Sequence, residues 1–184
     1  MPQSSGPSEK VTAILAQFPG PVTLRPSKLK WIPLVLANAL LGVGCMAGSA
    51  WLYPQAGTAI GVIGFALGGL SGAVGATVGM SAIITERMWA RLDFEGFETQ
   101  DVWGRRKRRH WRDADRFAVR WVGHWPCTVY DDVNPASGWW DSLNRGYAGG
   151  KSMLPDTYGL GAKNLTYLMT AWRQRALAHG VDSN

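Results

Sequence analysis

The sequence predicts an α+β membrane protein: a two-helix transmembrane hairpin joined to a bent antiparallel β domain that a C-terminal helix closes. Three observations predict it. The stretch from Trp31 to Thr85 contains no Asp, Glu, Lys, Arg or His. From Arg91 onward apolar residues recur with period two, the alternation of a half-buried strand. After Gly161 they recur at helical spacing.

The uncharged stretch comes first because it organises the rest. Helices and strands of a domain in water each need a wet face, so they rarely share so long a run without charge. Read as spans, 31–53 and 58–84 form a hairpin covering 31–85. The first would rise roughly 34 Å, enough for a hydrocarbon core of about 30 Å. Trp31 lies at one end, Trp51 and Tyr53 at the other, as interfacial aromatics do. Pro33 falls in the first turn, where a missing N–H costs little.

The net charge of +6 divides equally between the two flanks of this block. Under the positive-inside rule both flanks stay cytoplasmic, which predicts the inner membrane of a bacterium with both termini in the cytoplasm. Residues 1–21 are rich in Ser, Pro and Gly at their start and read as a loosely ordered tail without a cleaved signal. Residues 179–184 read as a second tail.

Gly57, Gly61, Gly64, Gly68, Gly72, Gly75 and Gly79 recur at spacings of 4, 3, 4, 4, 3 and 4, which puts all seven on one helical face. Such a stripe lets another backbone approach closely. Gly42, Gly44, Ala47 and Gly48 offer a matching small face on the first helix. The stripe fits either a hairpin within one chain or a seam between two copies.

The alternation then defines short strands. Arg91–Phe94 and Phe97–Trp103 flank a turn at Glu95-Gly96, and Arg106–Trp111 return after Gly104-Arg105. Phe117, Val119 and Trp121 share one face of 115–122, and 125–130 follows Gly123-His124. Strands at such spacing curl into a bent sheet or near-barrel. Leu165, Leu168, Met169 and Trp172 stand at i, i+3, i+4 and i+7 of the last helix. Trp103, Trp111, Trp121 and Trp172 are expected in the core.

The order of these pieces resembles the bacterial pleckstrin-homology-like proteins that carry two membrane spans ahead of the domain. The residues that carry the likeness are Leu92-Asp93-Phe94-Glu95-Gly96-Phe97 and Leu154-Pro155-Asp156-Thr157-Tyr158-Gly159-Leu160. The resemblance implies a bent sheet over 86–178 capped by the C-terminal helix. It also implies an early strand within 22–30, with the apolar block inserted after it.

The chemistry is sparse. Arg105, Arg106, Lys107, Arg108, Arg109 and Arg112 form a basic hairpin that would attract an anionic leaflet by about 1 kcal/mol per cation near its surface. Trp139 and Trp140, adjacent in an irregular Gly-rich segment, suggest a partner or membrane-interface contact. No Cys/His cluster has zinc spacing, no motif cradles phosphate, and the aspartate pairs lack a neighbouring nucleophile. The sequence therefore predicts no catalysis, no cofactor and no nucleic-acid binding. It predicts a module for protein–protein interaction or scaffolding, with generic contact to anionic lipid headgroups. The partner would be a membrane or cytoplasmic protein, or a second copy. The alternative is an accessory subunit of a larger membrane complex that packs through the glycine face.

Overall fold

In the computed structural model the two polar flanks of the apolar block belong to one unit, Met1–Pro26 with Met88–Asn184, and Ser27–Arg87 form a second. The structure describes residues 6–56, 58–84, 87–133, 142, 146, 148–149 and 151–182.

The first unit starts with helix α1 (Glu9–Leu15) and strand β1 (Val22–Leu24). It resumes with β2 (Trp89–Leu92), β3 (Gly96–Gln100), β4 (Arg106–His110), β5 (Ala114–Val122), β6 (Trp125–Asp132) and β7 (Ser152–Met153). The C-terminal helix spans Ala162–Asp182 and is α4 below. The strands make two antiparallel sheets, ordered β1-β2-β3-β4 and β5-β6-β7. Val22 pairs with Leu92 and Leu24 with Ala90, so β1 joins a strand from the far side of the apolar block.

Local chemistry explains the turns. Asp93 Oδ1 accepts the N–H groups of Glu95 and Gly96 at 3.0 and 2.9 Å, an Asx turn that reverses β2 into β3. Gly96 is required there, because a Cβ would run into the carbonyl of Arg109 on β4. Asp101 repeats the device, accepting from Trp103 and Arg105 at 2.9 Å each. In β5 the register slips between Asp115 and Ala118, and Arg116 takes a positive φ of 46° in the bulge.

The core lies between the sheets and the two helices. Leu165, Leu168, Met169 and Trp172 are all buried, as their spacing requires, against Leu92, Phe97 and Trp111. Val11 and Leu15 of α1 join them, so part of the expected N-terminal tail is a packed helix. Phe18 stands edge-on to Trp172 at 5.4 Å. Trp103 and Trp121, expected inside, are 59% and 66% exposed. Among the described residues β7 pairs only with Val129 and Tyr130, which leaves the outer half of the β5–β6 hairpin, where Trp121 lies, two-stranded.

The second unit is a helical hairpin, α2 (Lys28–Ala56) and α3 (Thr58–Ile84). The glycines make its seam. A Cβ on Gly72 would lie 2.7 Å from the Cα of Gly42, and one on Gly64 2.7 Å from Ser49 Oγ. Cβ atoms on Gly68 and Gly75 would run into Cys45 and Asn38. With the small residues turned inward, Leu40, Leu41, Val43, Ile63, Leu67 and Leu70 are left exposed on the hairpin.

Among the described residues no helix is long and apolar enough to cross a membrane. This overturns the expected transmembrane pair and, with it, the inner-membrane placement with cytoplasmic termini. Among the described residues the architecture is α+β, with four helices and two antiparallel sheets.

Candidate interaction surfaces

Strand β4 carries most of the basic cluster and, among the described residues, is the last strand of its sheet, paired only with β3. Alternation sends Arg106, Arg108 and His110 to the exposed side, while Lys107 and Arg109 are half-buried. The structure brings this cluster together but neutralises much of it. Arg105 Nε meets Asp101 Oδ2 at 2.8 Å. Arg108 bridges Asp93 at 3.1 Å and Glu95 at 3.0 Å. Arg109 Nε reaches the buried Asp132 carboxylate at 2.8 Å. Arg106 lies over the Trp89 ring at 5.7 Å and donates to Gln100 Oε1 at 3.3 Å. Arg112, beyond the strand, is exposed.

Beside the C-terminal end of β4 runs a groove of about 390 Å³, which includes Phe94, His110, Trp111, Arg112 and Leu177 in its lining. Its apolar floor comes from the β2–β3 turn and from α4, and its rim is charged. A second depression of about 460 Å³ lies between α1, β1 and Tyr158.

Asp115 and Asp131, from the acidic pairs of the sequence, hold basic side chains. Asp115 takes Arg173 at 3.2 Å, and Asp131 takes Lys151 at 2.6 Å and Arg116 at 3.0 Å. The hydrogen bond from Lys151 holds the Asp131 carboxyl below its ordinary range, with Arg116 adding to it. Among the described residues no group of three His, Cys, Asp or Glu could hold a metal ion, and Cys45 and Cys127 are free thiols. Burial, with help from Asp156, pushes the Cys127 thiol up, away from the thiolate a nucleophile needs.

Of the seven stripe glycines, Gly64, Gly68, Gly72 and Gly75 face α2 within the same chain. Gly57 and the side-chain environments at Gly61 and Gly79 lie outside the described residues. So do Trp139 and Trp140, the expected partner or interface aromatics.

Residue patterns did not reveal three other tryptophans. Trp103 in the β3–β4 turn and Trp121 and Trp125 at the β5–β6 tip are all more than half exposed. Among the described residues nothing lies within 4 Å of where a Cβ on Gly123 would sit. The signal available was position: Trp121 and Trp125 flank a two-residue Gly-His turn, where little can cover them.

No protein-family model, no curated protein and no solved structure matches this chain.

Proposed function

We propose that the first unit is a pleckstrin-homology-like interaction module without catalytic activity, which receives an extended, acidic segment of a protein partner along β4. The observation that supports this reading is the edge itself: among the described residues β4 has a strand on one side only, and its exposed positions are Arg106, Arg108 and His110. A free edge offers backbone groups to an added strand. Arg106, whose charge lies over Trp89, and the exposed Arg112 just beyond the strand favour an acidic strand over a second copy. The adjacent groove at Phe94 and Leu177 can take one apolar side chain of that segment.

A fluorescein-labelled peptide alternating Glu and Val, titrated into the full chain and followed by anisotropy, tests it. Saturable binding that weakens with salt and is lost in Arg106→Glu with Arg112→Glu supports the reading. Equal binding of a peptide with Gln in place of Glu, or indifference to both substitutions, discards it.

A further inference from the structure

The depression of about 460 Å³ takes its walls from α1, from β1 and from the segment just before α4. Its volume falls among those of ligand sites, roughly 300–1,000 Å³. Every residue of 21–25 contributes to the lining. Successive side chains of a strand point to opposite faces, so a hollow lined by all five runs along the strand's edge. Among the described residues β1 pairs only with β2, which leaves that edge for an added strand. The edge is short, three residues from Val22 to Leu24.

The lining has one sign of charge. Lys10 and Arg25, both exposed, belong to it, and among the described residues no Asp or Glu does. Ile14, Leu24 and Leu160 help make the remainder largely apolar. Such a hollow suits a segment with one negative charge and apolar side chains. An internal acidic strand, the occupant assigned to β4, would lay several carboxylates on an apolar wall. A chain terminus brings a single carboxylate. Tyr158, in the same wall, bears two costs at once: a left-handed backbone at φ 47° and a buried hydroxyl without a hydrogen-bond partner among the described residues. Costs of this kind gather where a ligand is held.

We infer that the hollow between α1 and β1 captures the free C-terminus of a partner protein. The last residues of that partner add to β1 as a short strand, their apolar side chains rest against α1 and Tyr158, and the terminal carboxylate meets Lys10 and Arg25. Main-chain pairing supplies affinity, and the pair of cations selects an end of a chain over its middle. β1 and β4 are the first and last strands of their sheet, so the two sites are separate and either reading can fail alone.

The test uses the full chain and the peptide Gly-Ser-Gly-Val-Thr-Val, labelled with fluorescein at its amino end, with a free carboxyl end, and followed by anisotropy. Saturable binding is expected. The same peptide ending in an amide should bind about tenfold more weakly, because the charge-assisted hydrogen bonds to the carboxylate are lost. Lys10→Gln with Arg25→Gln should cost a similar factor. Ala13→Glu, which sets a carboxylate in the wall, should weaken binding about fivefold by repelling the terminus. All three side chains are exposed, so the fold is expected to survive, which circular dichroism checks. Absence of binding, equal binding of the amide, indifference to these substitutions, or displacement of the probe by the unlabelled Glu and Val peptide would each overturn the inference.

Discussion

Trp111 and Trp172 donate their indole N–H groups to the same acceptor, the backbone carbonyl of Asp93, at 2.9 and 3.1 Å. One indole follows β4 and the other lies in the middle of α4, so this carbonyl ties helix to sheet at the β2–β3 turn. Arg173 adds a third tie by donating to the Trp111 carbonyl at 3.0 Å.

The shared acceptor makes the two tryptophans energetically coupled. Trp111→Phe and Trp172→Phe each lose ring volume and one hydrogen bond, and each is expected to cost about 2 kcal/mol. In either single variant the other indole still satisfies the carbonyl. The double variant removes both donors, so its loss should exceed the sum by about 1 kcal/mol. Urea unfolding of the four proteins measures this, and strict additivity would refute the coupling.

The basic strand divides into residues that hold the fold and residues that face outward. Asp132 is almost fully buried, and Arg109 covers it while Ser152 Oγ donates at 3.3 Å. Arg109→Met leaves a buried carboxylate without its guanidinium and is expected to destabilise by about 3 kcal/mol. Arg106→Gln, on an exposed side chain, is expected to cost less than about 1 kcal/mol. Thermal unfolding separates the two, and similar losses would mean that the strand is not partitioned this way.

Tyr158 presents the opposite case. It is a non-glycine residue at φ 47°, its hydroxyl is buried, and that oxygen has no hydrogen-bond partner among the described residues. Removing a buried, unsatisfied hydroxyl relieves a desolvation cost, so Tyr158→Phe is expected to stabilise by about 1 kcal/mol. Burial first, then Asp156 and Tyr130, raises its phenol well above the ordinary value of 10.0. Above that pH the unfolded chain has lost a proton that the folded chain keeps. Stability therefore falls as pH rises beyond 10, and is untouched by this group below it. In Tyr158→Phe that alkaline loss should shrink. Melting temperatures of both proteins from pH 8 to 11 check it, and parallel curves would contradict it.

What the residues disclosed in advance follows how local each determinant is. The face of α4 was legible because Leu165, Leu168, Met169 and Trp172 all lie within one helix, and a period of 3.6 needs no partner to be read. The basic strand was legible for the same reason. Its ion pairs were not, since Asp132 meets Arg109 only after β5 and β6 have folded back. Alternation assigned Trp121 to the face of Phe117 and Val119, but it carries no information on how far the covering layer extends. Val11 and Leu15 looked like part of a tail because a helix of seven residues bordered by Ser, Pro and Gly gives too short a pattern to read. Its stability comes from α4, to which Arg175 also anchors it through the Leu15 carbonyl at 2.6 Å.

The glycine stripe allowed a seam within one chain or between two, and the geometry of α2 and α3 supplies a direct discriminator. A Cβ at position 64 would lie 3.7 Å from the Cβ of Ser49, inside the range of about 3.5–4.5 Å that disulfides adopt. Ser49→Cys with Gly64→Cys, in a background with Cys45→Ser and Cys127→Ser, should therefore close a bond within one chain on mild oxidation. The product should run as a monomer without reductant, with its rate of formation independent of protein concentration. Gly72→Val added to the pair should slow closure strongly, because a branched side chain cannot fit against the Cα of Gly42. Covalent dimers as the main product would show that position 64 meets a second copy, and the intrachain seam would then be wrong.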